Sequence, residues 1–336
     1  MANRLASEGV PVDVFEQSAR VGNKVCSGLL SAETVERFGL RRLARFSIDG
    51  ARIHAGDEAL FVGRKNVAYV FDRAELDGHL YDLALSSGAN VFLGKRIGRV
   101  PESDIVVGAD GAGSFVRQAC FGLTVRTIPG TIAYVRGVFD RYVDIFLDSD
   151  LAPGFFAWVI PRAEDEAEIG LAIHPNYAPT ILQRLRTFAA RLGYDSFALR
   201  GVRPIVVSPP LLRVVRKNCA LVGDAAAHVK ATTGGGISYG LLAAAHLADA
   251  ILRSDLGSYQ RWHRTWAAPR LFAHYMLRRW LNVVNSERLV RVLREKGFEG
   301  ELSRAGDMDD PSFLLNVRYL GLISQIVSPF SYILHR

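Results

Sequence analysis

The sequence predicts a mixed α/β fold: a Rossmann-like domain, interrupted by an antiparallel-sheet domain and followed by a helical C-terminal region. Three observations predict it. A strand, a glycine-rich turn and a helix follow one another at 103–120 and again at 218–240, the pattern of parallel-sheet domains. Between them, from about 124 to 174, the apolar period falls to two, as in half-exposed antiparallel strands. After 258 apolar residues return at helical spacing. The expected boundaries are 1–122 and 208–256 for the two parts of the Rossmann-like domain, 123–207 for the inserted sheet and 257–336 for the helical region.

The 336 residues carry 41 Lys+Arg against 34 Asp+Glu, a formal charge of +7. With 49% hydrophobic and 22% charged residues the chain can bury a large core, which excludes disorder as its main state. No run of five like charges occurs, so the basic excess points to an anionic cofactor or a membrane surface rather than to nucleic acid. Cys26, Cys120 and Cys219 are odd in number and lack metal-ligand spacing. Neither a disulfide framework nor a metal site is expected, and the compartment is read as reducing. Met1 is followed at once by Asn3, Arg4, Ser7 and Glu8, so no secretory signal is read.

Residues 2–8 read as the second half of a helix ending at Gly9, and 11–16 as a strand directly after it. Half a helix is a poor opening for a fold. The chain as numbered is therefore read as lacking an N-terminal strand and first glycine-rich phosphate loop, about 20 residues. Next come a loop carrying KVCSGLLS at 24–31, a short helix at 31–40, small antiparallel strands over 50–71 and a helix over 74–88. At 103–120 a buried strand leads through GADGAGS to a helix start capped by Ser114. The insert holds TIAYVRGVF, YVDIFL, GFFAWVIP and AEIGLAI as strands. A helix at 178–192 and extended pieces over 204–216 precede a strand and turn at 218–227, then helices at 236–253 and over most of 258–328. The apolar stretch at 313–334 is long enough to span a membrane, but Asn316, Arg318, Gln325 and Pro329 interrupt it, so an interfacial or core helix pair is expected.

Three segments carry chemistry. Glu16 closes an apolar strand, where a carboxylate accepts hydrogen bonds from a ribose diol in dinucleotide-binding folds; a strand-terminal acid facing water is the plain alternative. The glycines of GADGAGS at 108–114 permit positive φ and close approach of the backbone to a ligand. In LVGDAAAHVKATTGGGISYG at 221–240, Asp224 lies just past a strand and three glycines precede a helix, whose N-terminal amides would face an anion or an electron-rich ring edge. His228 and Lys230 beside them read as solvated loop residues.

Taken in order, these residues resemble flavoproteins of the p-hydroxybenzoate hydroxylase type, and within them the geranylgeranyl reductase family, over nearly the whole chain. KVCSGLLS is similar to that family's cysteine-glycine loop, and PGFFAWVIPR at 153–162 to its aromatic-x-Trp-x-aromatic-Pro-basic motif. Ile160 replaces the second aromatic, and Ala231 stands where proline is usual. The resemblance implies FAD as cofactor, with Glu16 at the adenosine ribose, Arg73 by the cofactor, Asp110 and Gly111 in the DG motif and Asp224 at the ribitol. It also implies that Gly234, Gly235, Gly236 and Ile237 approach the flavin ring and pyrophosphate. Cys26, Ser27 and Gly28 would lie near the isoalloxazine and the reacting alkene, and Phe156, Trp158 and Pro161 would line the lipid cavity. A buried Cys26 and a core-facing Phe156 and Trp158 are the alternatives.

The implied activity is FAD-dependent reduction of C=C bonds in geranylgeranyl chains of membrane-lipid precursors or prenyl diphosphates. Such a reduction needs a hydride equivalent on one carbon and a proton on the other, and no side chain supplies hydride; reduced flavin does, from N5. Cys26 is the candidate proton donor, with ordered water its competitor. An external reductant, NAD(P)H or another electron donor, is required. The expected setting is cytoplasmic, with Arg278, Arg279, Arg288 and Arg291 giving peripheral attachment to anionic lipid at the inner membrane face. Two rivals stay open: a flavin-dependent monooxygenase on an apolar or aromatic substrate, and a non-catalytic, truncated lipid-binding remnant. Without the first phosphate loop, weak FAD binding is expected for the chain as numbered.

Overall fold

The computed structural model describes residues 1–305 and 308–310; the apolar stretch expected to form helices at 313–334 lies outside the described residues. Along the chain, α1 (Ala2–Ser7) ends before Gly9 at φ +80, followed by β1 (Asp13–Phe15), β2 (Leu29–Ser31) and α2 (Ala32–Arg37), whose N-cap Ser31 accepts from Thr34 N–H. β3 (Ala44–Ala55) and β4 (Glu58–Phe71) are long neighbouring strands where small ones were expected. Charged pairs hide their alternation: Arg52 donates to Asp140 and Asp144, and His54 meets Asp144 at 2.7 Å. α3 (Arg73–Ser86), capped by Asp72, leads to β5 (Asn90–Phe92) and β6 (Val106–Gly108). After β6 the expected helix starts past Ser114, which accepts the Arg117 N–H, but is short and ends in a wide π-turn, Arg117–Phe121.

The insert contributes β7 (Thr127–Arg136), β8 (Tyr142–Phe146), β9 (Ala157–Pro161), β10 (Glu166–Ala172) and α4 (Ile181–Arg191). β11 (Ala198–Val206), β12 (Val215–Arg216), β13 (Cys219–Leu221) and α5 (Ile237–Leu252) follow. The last described helices are α6 (Leu256–Trp262), a π-turn at His263–Ala267, α7 (Ala268–Leu281), α8 (Ser286–Glu295) and α9 (Phe298–Ala305).

The chain forms two compact units and passes between them several times. The first comprises Met1–Phe46, Tyr69–Ile128 and Val202–Tyr275, and the second Ser47–Ala68, Pro129–Gly201 and the chain from Met276. In the first, β1 pairs with β5 in parallel, and β13 pairs in parallel with β6 and antiparallel with β12. Its core runs from Val106 and Val116 through Ala220, Leu221 and Val222 to Ala243 and Leu247 of α5. The structure pairs Cys120 with Cys219, Cα atoms 6.5 Å apart, which corrects the expectation of no disulfide. The two lie 99 residues apart, so cysteine number and spacing could not show that β13 brings them together.

The second unit is built on a curled sheet with strand order β11-β7-β10-β9-β8-β3-β4. Register alternation sends Ala133, Val135, Val159, Ile169 and Leu171 to one face, where Ile181, Leu185 and Phe188 of α4 cover them. Trp158, Ile160, Glu168 and Gly170 occupy the other face. Arg278, expected at a lipid surface, is 2% exposed and lies over Phe155 at 4.4 Å, which corrects its assignment, while Arg291 stays exposed and pairs with Glu58 and Glu287.

Candidate active site

In the first unit the loop from Glu16 to Gly28 folds back onto the start of α3. Glu16 Oε1 accepts the Ser18 N–H at 2.7 Å, and its main chain is tied to Phe92 O and Lys95 N at 3.0 and 2.8 Å. Gly22 (φ +75) and Gly28 (φ +67) are required by contact: a Cβ on them would come within 2.3 Å of Ala74 Cα and of the Phe71 carbonyl oxygen. This close approach sets the half-buried Cys26 beside Arg73, with Ser27, also half-buried, next to it in the loop. Arg73 forks onto Asp77 with two bonds of 2.9 Å. Burial disfavours its charge, but Cys26 and then Asp77 outweigh that and raise its pKa.

The second segment turns at Asp110. Its carboxylate accepts from the Ser114 hydroxyl at 2.5 Å and from Val116 N–H at 3.1 Å, while Ser114 Oγ accepts from Arg117 N–H at 2.9 Å. Gly111 (φ +77) and Gly113 face open space where a Cβ would stand. Arg117, which the sequence reading passed over, is 5% exposed and donates to the carbonyls of Leu123, Ala225 and Ala112. It thereby ties the Asp110 turn to the Asp224 turn.

The third segment carries Asp224 on the short turn Gly223–Ala226. Burial pushes its carboxyl above the usual carboxylate range, against the pull of Arg73, Lys24 and Arg117. A Cβ on Gly236 would stand 2.8 Å from Asp224 Oδ1, so the last glycine of the triplet lets this carboxylate reach the start of α5. Ile237 opens that helix, and its cap residue Gly236 offers no side-chain hydrogen bond to the first amides. Gly234 has φ +75, and Gly235 leaves room for the Lys230 stem, whose Cε lies 3.0 Å from the position of a Cβ. His228 and Lys230 are 0% and 2% exposed, which corrects their reading as solvated. The loop is tucked inward because Ala227 takes φ +55, His228 N–H returns to Gly223 O and Lys230 N–H bonds Gly235 O.

Four separate stretches thus meet: Lys24 and Cys26, Arg73, Asp110 with Arg117, and Asp224. Three cations around a half-buried carboxylate, glycine backbone open to space and uncapped helix amides fit an anionic, hydroxyl-rich ligand such as a dinucleotide. Among the described residues no group of His, Cys, Asp and Glu is placed to hold a metal ion, and no helix is long and apolar enough to cross a membrane.

In the second unit Phe156 and Trp158 are each 7% exposed and meet edge to face, with centroids 5.6 Å apart. Pro161, opposite Ala167, alternates to the other face of β9 from Trp158, which lies opposite Gly170.

Comparison with known proteins gives the class and then the family. The fold is that of FAD-dependent oxidoreductases. A geranylgeranyl bacteriochlorophyll reductase-like protein of Thermoplasma acidophilum superposes with a TM-score of 0.78, at 22% identity and covering 87% of each chain. A probable FAD-dependent monooxygenase of Pseudomonas aeruginosa, pqsL, gives 0.67 at 19% identity, covering 84% of this chain and 93% of that one. No protein-family model matches the chain. In sequence it is 30% identical over 278 residues to digeranylgeranylglycerophospholipid reductase 1 of Methanopyrus kandleri, covering 70% of this chain and 72% of that one. It is 29% identical over 304 residues to a digeranylgeranylglycerophospholipid reductase of Methanothrix thermoacetophila, covering 76% of each. The chain belongs to the geranylgeranyl reductase family and is an FAD-dependent oxidoreductase.

Proposed function

We propose that this enzyme saturates C=C bonds of geranylgeranyl chains carried by membrane-lipid precursors or prenyl diphosphates. The observation that carries the reading is the convergence of Cys26, Lys24, Arg73 and Asp224 beside the Gly234–Gly236 turn. Glu16 would hold the adenosine ribose of FAD and Asp224 the ribitol. Asp110 and Gly111 would form the DG turn beside it, and the amides at Gly234, Gly235, Gly236 and Ile237 would take its pyrophosphate and ring edge. When bound and reduced, the flavin supplies the hydride equivalent, from N5.

The chain's own residues supply position and the proton. Gly28 and Gly22, pressed onto the backbone at Phe71 and Ala74, fix the loop that presents Cys26 and Ser27. Cys26 holds the proton for the second alkene carbon, with the Arg73 cation at its side. Phe156 and Trp158 give the prenyl chain an apolar wall, since such a chain is recognised by shape and burial alone. NAD(P)H or another electron donor restores the reduced state. Exposed Arg279 and Arg288 would favour contact with anionic lipid, which flotation with acidic liposomes tests.

The deciding experiment mixes the FAD-loaded protein, reduced without oxygen, with a geranylgeranyl lipid. The expected result is anaerobic reoxidation of flavin and a product heavier by 2 Da per reduced bond. A product gaining 16 Da only when oxygen is admitted would support a monooxygenase instead. No turnover and no FAD binding would support a lipid-binding remnant.

A further inference from the structure

Trp158 is held by a device that packing alone does not require. β9 and β10 are antiparallel, with Trp158 opposite Gly170 and Ile160 opposite Glu168, so the four share one face of the sheet. The indole lies flat across β10 above Gly170. A Cβ there would come within 2.5 Å of Cε2 and Cζ2 and 2.8 Å of Nε1. Gly170 is not at positive φ, so what it supplies is room for the ring. The indole N–H then reaches two residues along the strand and donates to Glu168 Oε1 at 2.8 Å, with Glu168 wholly buried.

Every residue of β10 is buried. A strand selected only for stability would carry an apolar side chain at 168, because burying a carboxylate has a large desolvation cost. An aromatic contact holds the indole as well. Phe156 meets it edge to face, Phe155 stacks on Phe156 at 4.4 Å, and the Arg278 guanidinium covers Phe155 at 4.4 Å and Phe156 at 5.4 Å. A row of aromatic rings thus runs between a buried cation and a buried carboxylate, with the indole N–H turned toward the carboxylate.

We propose that Glu168 is a positioning residue that fixes the plane of the Trp158 ring and so determines how the prenyl chain is seated for reduction. The proposal rests on the reading that Trp158 lines the site of an isoprenoid substrate. Such a chain offers no polar group along its length, so the angle of an aromatic wall decides where each double bond lies.

Three variants test it. Glu168→Gln keeps a carbonyl acceptor of the same reach, Glu168→Leu removes it, and Gly170→Ala displaces the ring while leaving the carboxylate in place. The chain has four tryptophans, so indole N–H signals in a nitrogen–proton spectrum are few, and Trp158→Phe identifies the one concerned. That signal is expected to be exchange-protected in wild type and Glu168→Gln, and shifted and unprotected in Glu168→Leu and Gly170→Ala. FAD titration and flavin reduction by dithionite should be the same in all. With geranylgeranyl lipid, Glu168→Leu and Gly170→Ala should raise KM about tenfold, with a smaller change in kcat, and alter the proportions of partly reduced products. Glu168→Gln should restore the wild-type values. An indole signal indifferent to Glu168→Leu overturns the proposal, and so does an indole that moves while KM and product proportions do not. A wild-type enzyme that reduces no prenyl lipid overturns the proposed substrate, and the indole spectra still decide whether Glu168 sets the ring.

Discussion

His228 and His263 form a buried relay, with Nε2 of the first 3.1 Å from Nδ1 of the second. The Nε2 of His263 lies 2.6 Å from the carbonyl oxygen of Leu211, which can only accept, so His263 carries its proton on Nε2. His263 Nδ1 is then an acceptor, and His228 donates to it through Nε2. Burial and the neighbouring His263 hold His228 well below the usual histidine range, and burial holds His263 below it against the pull of the Leu211 carbonyl. The unfolded chain takes up these protons near pH 6.5 while the folded chain does not. Stability is therefore full above about pH 6.5 and falls as pH drops, by up to about 1.4 kcal/mol per pH unit for each histidine. Urea midpoints measured from pH 8 to 5 should show this slope, and His228→Asn should remove about half of it. A profile that is flat between pH 6.5 and 5 would contradict the relay.

Ala227 occupies the left-handed region at φ +55, where its Cβ crowds the following carbonyl. Glycine there relieves about 1–2 kcal/mol but restores freedom to the unfolded chain. Ala227→Gly should therefore raise stability by about 0.5–1 kcal/mol, read as a higher urea midpoint. A lower midpoint would mean that the buried methyl matters more than the backbone.

Arg117 satisfies three carbonyls that belong to two different turns. Arg117→Met keeps the stem and loses the donors. Stability should fall by about 2–4 kcal/mol, and FAD affinity should fall with it because the Asp110 and Asp224 turns lose their tie. Unfolding and FAD titration on the same preparation check both.

Pairing of Cys120 with Cys219 leaves Cys26 as the free thiol. Alkylation of the denatured, unreduced chain should add one label at Cys26, and prior reduction should raise this to three. Three labels without reduction would contradict the pairing.

What the sequence revealed follows from which constraints are local. Gly28, Gly111 and Gly234 take positive φ, a demand of their own backbone, so their motifs were legible. Phe156 and Trp158 were legible as alternate residues of one strand. The Glu168 acceptor and the Arg117 tie were not, because each depends on register or contact across separate segments. His228 looked like a loop residue for the same reason: its partner lies 35 positions away on a π-turn. β3 read as short because Arg52 and His54 interrupt the apolar alternation, and their partners Asp140 and Asp144 lie about 90 residues along the chain.

In the proposed reading, Asp224, Arg73, Lys24 and Arg117 assemble a flavin site beside the Gly234–Gly236 turn. The measurement that tests it most directly is an FAD titration of the purified chain, followed by its visible absorption, with Asp224→Ala alongside. The expected result is a saturable shift of the flavin bands in wild type and an affinity at least tenfold weaker in Asp224→Ala, the loss that follows when a charged hydrogen-bond partner is removed. Flavin bands identical to those of free FAD at every concentration, or equal binding by the two chains, would contradict it.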